Sequence, residues 1–385
     1  MKPLLRRNAG CDILYGMKSK NPFVVYGYEG PDTFCDRKAE TAKLKSALEN
    51  GRNVTLLAER RIGKTGLVKH LFEELRKEGR WTTVYVDIFA TASLIEFTRQ
   101  LAAAVIGSMD SSFDKAVTAA TRFFKSFRPE VAIDAATGSP SFSFGLEARN
   151  VECTLKECFD YLGTHGDCVV AIDEFQQIGT YPEKGTEALL RSYVQFLPNT
   201  RFIFAGSRHH MMAEMFSSAK RPFFNSTQTL PLDRIDEDVY FEFAKGLMAT
   251  VCELTRETFD KVYSMFDGIT WYVQMIMNRM CERGSASAED IVPVVDDLLH
   301  EKSWEYAALL KSLPAGSVRL LKAVARAGRV KSPTSGEFIA ANSLRGASSV
   351  HLALNKLLDD ELLYETDDGY VVYDRLFGFW LTRLP

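Results

Sequence analysis

The sequence predicts an α/β protein built on a parallel β-sheet, with a helical section after the sheet and a winged helix-turn-helix at the C-terminal end. Three observations carry this. The apolar run Val54-Thr55-Leu56-Leu57 leads into Ala58-Glu59-Arg60-Arg61-Ile62-Gly63-Lys64-Thr65, and Gly66-Leu67-Val68-Lys69-His70-Leu71-Phe72 follows with its apolar residues at helical spacing. A second apolar run, Cys168-Val169-Val170-Ala171-Ile172, closes on Asp173-Glu174, as a buried parallel strand does when it delivers polar residues to the carboxyl edge of a sheet. From Val318 onward, three short helical segments precede two short strands that flank Asp367-Asp368-Gly369.

A strand, a glycine-containing turn, Gly-Lys-Thr and then a helix is the context of a phosphate-binding P-loop. Backbone N–H groups in the turn and at the helix start face inward and attract oxyanions. In this reading Ala58, Glu59, Arg60, Arg61, Ile62, Gly63, Lys64, Thr65 and Gly66 form the phosphate cradle. Lys64 would reach the β- and γ-phosphates and the Thr65 hydroxyl would hold Mg2+. Ala58 stands where the pattern usually has its first glycine. Alanine tolerates a tight turn less well, but the cradle is built mainly by residues near Gly63, so the loop should survive with reduced nucleotide affinity. Gly-Lys-Thr alone would also open an ordinary surface helix, and Asp-Glu alone would serve as a plain helix cap; together they predict one shared site. Asp173 would then complete the Mg2+ shell, and Glu174 would orient and polarise the attacking water.

With 385 residues and 46% apolar content, the chain is too long for one ordinary domain and rich enough for a large core. A net charge of −3 gives no general affinity for polyanions. No apolar run reaches bilayer length, and Met1-Lys2-Pro3-Leu4-Leu5-Arg6-Arg7 lacks the apolar region of a secretion signal, so no membrane is expected. The seven cysteines are scattered, with no C-x-x-C pair to suggest zinc, and read as reduced thiols of a cytoplasmic protein.

Residues 1–20 show no periodicity and read as a lead-in. Asp36 is a candidate N-cap for a helix with Leu44, Ala47 and Leu48 inward. Thr82 to Asp87 reads as a strand and Leu94 to Ile106 as a helix. Val131-Ala132-Ile133-Asp134 and Ser141 to Leu146, around Thr137-Gly138-Ser139-Pro140, read as a β-hairpin on the sheet's margin, either a passive insertion or a partner-binding element. Glu187 to Phe196 is a helix, Arg201 to Ser207 a buried strand, and Thr227 to Leu232 a fifth strand in which Pro231 points to an edge or a strand end. His209 and His210 diverge in direction and lack an acidic partner, so they read as helix-start residues rather than metal ligands.

Phe34-Cys35-Asp36-Arg37, the double arginine before Ile62-Gly63-Lys64-Thr65, Ile172-Asp173-Glu174, Phe204-Ala205-Gly206-Ser207-Arg208 and Tyr373-Asp374-Arg375-Leu376-Phe377-Gly378-Phe379-Trp380 together resemble the P-loop ATPases of the AAA+ and STAND group, in particular the archaeal-type ATPase family. The resemblance spans nearly the whole chain. It implies an AAA+-like nucleotide domain that takes ATP and Mg2+, with Asp36 and Arg37 bordering the adenine. It also gives Ser207 the role of a sensor near the γ-phosphate or the lytic water, a role compatible with capping the helix that starts near His209. Arg208 and Arg221 are candidates for an arginine finger acting in trans.

From Asp236 to about Leu313 the sequence reads as helical, with segments at Val239 to Met248, Arg256 to Met265, Ile269 to Cys281 and Ala288 to Leu299, the size of a lid. Where the resembled family carries Gly-x-Pro in the lid, this chain has Gly268-Ile269-Thr270-Trp271-Tyr272, without the proline and without a sensor-2 arginine. Trp271, Met275, Met277 and Met280 read as core. The divisions are a lead-in at 1–20, an AAA+-like P-loop ATPase domain at 21–234 with the hairpin at about 128–148, a lid at 235–313 and a winged helix at 314–385.

In the winged helix, Ala315 to Arg345 carries six basic residues and one acid, but Gly346 to Pro385 carries three and seven, which sets an acidic end on the helix that would enter a DNA groove. The expected partners are ATP and either a protein or a second copy of the chain, with DNA less favoured. The function expected is an Mg2+-dependent ATPase that couples nucleotide state to lid and winged-helix movement. The alternative is a slow nucleotide-gated switch acting through the winged helix on DNA or a protein.

Overall fold

The computed structural model describes residues 21–109, 128–133, 140–145, 150–366 and 368–384. The lead-in at 1–20, the hairpin turn at 134–139, Leu146 and Asp367 lie outside these residues. Nine strands occur among them: β1 (Val54–Leu57), β2 (Thr82–Asp87), β3 (Arg128–Ile133), β4 (Pro140–Gly145), β5 (Cys168–Asp173), β6 (Thr200–Gly206), β7 (Gln228–Pro231), β8 (Leu363–Thr366) and β9 (Gly369–Val372). Five form one parallel sheet in the order β2-β5-β6-β1-β7. β1 and β5 are buried along their whole length, as strands covered on both faces must be.

The alternation of side chains along these strands divides the core in two. Val54, Leu56, Val169, Ala171 and Ile203 face the helices Lys38–Glu49 and Lys64–Lys77 through Leu44, Leu67 and Leu71. Val170, Ile172, Phe202 and Phe204 face Leu94–Met109 and Val151–Thr164 through Phe97, Leu101 and Leu155. Leu57 pairs with Gly206 and Ile172 with Phe204, so β1, β5 and β6 end level at one edge, with β6 between the other two. β7 is an edge strand, where Pro231 removes a backbone donor at little cost.

Two local expectations are corrected. The first helix begins at Lys38, after Asp36 (φ 52°) and Arg37 (φ 62°), both left-handed; neither side chain caps it. The reason is tertiary: the turn buries Arg37, whose guanidinium reaches the Ile62 carbonyl at 3.1 Å. The hairpin β3-β4 pairs antiparallel from Arg128 opposite Gly145 to Ile133 opposite Pro140, and forms a sheet of its own beside the helix Leu94–Met109.

After the sheet come the helices Glu237–Met248, capped by the Asp236 side chain, Arg256–Met265 and Thr270–Arg283. A short turn at Ala288–Asp290 then enters Ile291–Ser312. That last helix runs well past Leu299 because its distal half is packed: Tyr306 sits 5.0 Å from Phe377 and 5.8 Å from Trp380, ring centre to ring centre. Met275, Met277 and Met280 are core, and Trp271 is half-buried beside them.

The C-terminal section contains Ala315–Ala327, Gly336–Ala341 and Ala347–Asp359, then β8 and β9, with Val330 joined to Tyr370 by an isolated antiparallel bridge. A terminal helix, Arg375–Thr382, follows, which the periodicity reading did not include. Gly369 has φ 128°, and a Cβ there would lie 2.6 Å from the Val330 carbonyl oxygen. Gly369→Ala is therefore expected to cost about 1–3 kcal/mol, measured as a lowered thermal midpoint. An unchanged midpoint would show that the bridge to Val330 yields freely. Among the described residues no helix is long and apolar enough to cross a membrane.

Candidate functional site

The carboxyl end of β1 turns through a loop in which Arg61 (φ 69°) and Gly63 (φ 96°) are left-handed, and the helix starts at Lys64. Outside segments clamp this loop. The Arg61 carbonyl accepts the Trp271 N–H at 2.9 Å, and the Ile62 carbonyl accepts the Thr270 hydroxyl at 3.4 Å in addition to Arg37. The stretch Gly268-Ile269-Thr270-Trp271-Tyr272, which lacks the expected proline, thus contacts the loop directly through Thr270 and Trp271.

Lys64 is buried, its ammonium donating to the carbonyls of Glu59 (3.1 Å) and Ala58 (3.4 Å). Burial pushes its pKa down, against the opposing pull of Glu174 and Asp173. The Thr65 hydroxyl donates to Asp173 Oδ2 at 2.8 Å, and the Tyr85 hydroxyl donates to the same oxygen at 2.7 Å. Two adjacent strand ends and the loop therefore bring hard oxygen donors to one point.

Glu174 follows in a left-handed conformation, φ 56°. Its Oε2 accepts the Ser207 hydroxyl at 2.7 Å and the Gln176 amide at 2.5 Å, while Arg60 Nε donates to Ser207 Oγ at 3.0 Å. Burial works to raise the Glu174 pKa, but the bonds from Ser207 and Gln176 with the charges of Lys64 and Arg60 outweigh it, holding the carboxyl below its ordinary value. Gly206 makes this approach feasible, since a Cβ there would lie 2.3 Å from Gln176 Oε1 and 2.6 Å from the Met212 side chain.

A cleft of about 410 Å3 opens over the loop. Arg60 to Gly66 and Glu174 line one part; Phe34, Arg37, Trp271 and Gln274 line others. Phe34 stacks on His70 with ring centres 4.5 Å apart, over Gly66, where a Cβ would already be 3.3 Å from the Phe34 ring.

The predicted site residues separate into three groups. Lys64, Thr65, Asp173, Glu174 and Ser207 converge. Arg37, Arg60, Arg61, Ile62, Gly63 and Gly66 border the cleft. Ala58, Glu59 and Asp36 are not among its lining residues; Ala58 and Glu59 hold Lys64 through their carbonyls, and the Glu59 carboxylate pairs with Arg234 at 3.2 Å. The capping role for Ser207 is corrected: the helix His209–Ser217 starts after Arg208 without a side-chain cap, because the Ser207 hydroxyl is committed to Glu174. Both finger candidates are paired within the chain, Arg208 with Glu361 and Arg221 with Glu187 and Glu214. Among the described residues no group of three or more His, Cys, Asp or Glu side chains is placed to hold a metal ion.

Sequence reasoning missed the winged helix's own contribution to the site. Glu361 pairs with Arg60 at 2.5 Å and also with Arg208. Asp374 accepts from Arg61 at 3.1 Å and from the Tyr272 hydroxyl at 3.2 Å while capping the terminal helix. The Arg61 guanidinium lies over the Trp271 ring at 4.6 Å. Glu361 lies 153 residues from Arg208, and Asp374 lies 313 residues from Arg61, so no local pattern couples them.

Fold and site together define the P-loop ATPase class with a C-terminal winged helix. The chain belongs to the family of ATPase domains described as predominantly from Archaea, whose model matches residues 34–276. A second family model, "Probable winged helix domain", matches residues 304–383. No curated protein matches the chain in sequence at a significant level. Among solved structures it is similar to a Walker-type ATPase of Pyrococcus abyssi, at 19% identity over 94% of this chain and 99% of that one, with a TM-score of 0.66. It is also similar to the ORC2 protein of Aeropyrum pernix in its ADPNP-ADP complexes, at 16% identity, 94% and 96% coverage and a TM-score of 0.56. The ORC1 protein of Aeropyrum pernix in complex with DNA follows at 12% identity, 91% and 93% coverage and a TM-score of 0.53. At these identities the likeness is one of fold.

Proposed function

We propose that the chain is an Mg2+-dependent ATPase whose nucleotide state is coupled to the positions of a lid (235–313) and a winged helix (314–385) on a nucleotide domain (21–234). The observation that carries this is the convergence of Lys64, Thr65, Asp173, Glu174 and Ser207, with Thr65 Oγ1 2.8 Å from Asp173 Oδ2 and Ser207 Oγ 2.7 Å from Glu174 Oε2. The loop N–H groups and the Lys64 ammonium hold the phosphates of ATP. Thr65 and Asp173 offer oxygen donors of the kind Mg2+ takes, and the absence of a larger ligand cluster among the described residues suits an ion that keeps several waters and shares its ligands with phosphate. When bound, Mg2+ neutralises charge on the phosphates. Glu174, kept as a carboxylate, orients the attacking water and accepts its proton; Ser207 positions Glu174. ATP binding and turnover of Lys64→Ala and Glu174→Gln beside wild type test the convergent set: the first should lose binding and the second only turnover.

A second reading, a slow nucleotide-gated switch, is favoured by one specific observation: acids of the winged helix occupy three arginines at the site, Arg60, Arg61 and Arg208. Partly exposed pairs of this kind contribute about 0.2–1 kcal/mol each, so together they bias a docked winged helix without locking it. Glu361→Gln is expected to raise ATP turnover about 2- to 10-fold and to speed hydrogen exchange in β8 and β9. If both rates match wild type, the docked contact exerts no restraint.

A protein or a second copy of this chain is the partner this reading favours over DNA. The helix Ala347–Asp359 exposes Ser348, His351, Leu352 and Asn355, and its Lys356 is paired with Asp360 at 2.9 Å, leaving little positive charge for phosphates.

A further inference from the structure

Tyr85 stands two residues before the end of β2, and the parallel ladder sets it beside Ala171 and sets Asp87 beside Asp173. Side chains alternate along a strand, so Tyr85 and Asp173 share one face of the sheet, offset by one pair, a separation that an aromatic side chain spans. That face is the one covered by the helix Lys64–Lys77, and Lys69 Nζ lies 5.6 Å from the centre of the Tyr85 ring. Asp173 is 5% exposed, and its carboxylate accepts three hydrogen bonds. The Tyr85 hydroxyl donates to Oδ2 at 2.7 Å, the Thr65 hydroxyl to the same oxygen at 2.8 Å, and the Glu174 N–H to Oδ1 at 3.0 Å. The Glu174 N–H belongs to the next residue in the chain, and the Thr65 oxygen is itself offered to Mg2+. Tyr85 alone of the three reaches Asp173 from a neighbouring strand.

We propose that Tyr85 is a positioning residue for Mg2+: its hydroxyl fixes the direction of the Asp173 carboxylate and so sets how much the ion tightens nucleotide binding. The inference rests on the site being one for Mg2+ and nucleotide together. Carboxylates that serve a metal are themselves hydrogen-bonded, and removing the group that orients them lowers metal affinity by about 10- to 100-fold. Mg2+ makes the constraint strict, because it demands near-octahedral geometry at short range and accommodates a misdirected oxygen poorly. Phosphates are held by the loop N–H groups and Lys64, and Tyr85 is not among the residues that line the cleft, so nucleotide affinity without metal does not depend on its hydroxyl. Phenylalanine fills the same strand position and keeps the ring, so the exchange removes the one bond to Asp173 and little else.

The test compares wild type with Tyr85→Phe in equilibrium binding of ADPNP, a non-hydrolysable ATP analogue, first in EDTA and then with saturating Mg2+. In EDTA the two proteins are expected to bind ADPNP equally, which also shows that the variant is folded. Mg2+ is expected to tighten binding by wild type, and Tyr85→Phe is expected to lose about tenfold of that gain. In an Asp173→Asn background, adding Tyr85→Phe is expected to take away nothing further, because the hydroxyl acts through Asp173. An equal gain from Mg2+ in wild type and Tyr85→Phe, a larger gain in the variant, or a further loss in the Asp173→Asn background would each overturn the inference. A loss of the same size in EDTA and in Mg2+ would make Tyr85 a support of the loop and overturn it too. If Mg2+ does not tighten binding by wild type, the Mg2+ reading of the site falls and this inference with it, while the nucleotide reading stands. If wild type binds no ADPNP under either condition, the nucleotide reading falls as well.

Discussion

Glu174→Gln is expected to bind ATP with near wild-type affinity and to lose turnover by about 10²–10⁴-fold. The carboxyl is the group that Ser207 and Gln176 hold at the sheet edge, and its neighbours keep it ionised. An amide of the same size occupies the same place and still accepts the Ser207 hydroxyl, so the fold and the phosphate contacts are retained. What it loses is the ability to take a proton from water. Single-turnover hydrolysis beside equilibrium binding separates the two effects. A variant that hydrolyses at the wild-type rate would remove Glu174 from the mechanism, and one that fails to bind would make it part of the binding surface.

Lys64→Ala is expected to weaken ATP binding by about 30-fold or more, from the roughly 2–5 kcal/mol that truncating one partner of a buried charge pair costs. Lys64 is the cation that the loop itself buries, and it is held over the Ala58 and Glu59 carbonyls where phosphate oxygens would otherwise compete for it. Removing the cation leaves the Asp173 and Glu174 carboxylates without its compensating charge, so the variant without ligand is expected to unfold at a midpoint at or below wild type. Calorimetric titration with ATP and a thermal scan without it give both readings. Unchanged affinity and turnover in Lys64→Ala would overturn the ATPase reading as a whole.

The parts of this site that local sequence carries are those set by period and by short-range backbone geometry. Val54 to Leu57 and Cys168 to Asp173 are apolar on both faces, which selects central parallel strands, and Gly63 supplies the left-handed residue from which the helix at Lys64 starts. Two strand-end motifs were enough to place Thr65 beside Asp173, because parallel strands of one sheet deliver their carboxyl ends to one edge. The helices that follow the sheet and the three helices of the winged section follow from the same periodicity.

The remainder depends on groups far apart in the chain. Asp36 has the chemistry of an N-cap, but burial of Arg37 against Ile62 turns the backbone left-handed there and starts the helix later. Ser207 could cap a helix or touch Glu174, and only the register of β5 beside β6, with Gly206 leaving room for Gln176, decides for Glu174. The length of Ile291–Ser312 was settled by Tyr306 meeting Phe377 and Trp380. Sequence by itself determined the sheet, the loop and which residues gather at its edge, because each of these is written in residues within a turn or a strand of one another. Tertiary structure alone decided that Glu361 and Asp374 meet Arg60 and Arg61, because the strength of a charge pair depends on which distant surface removes its water.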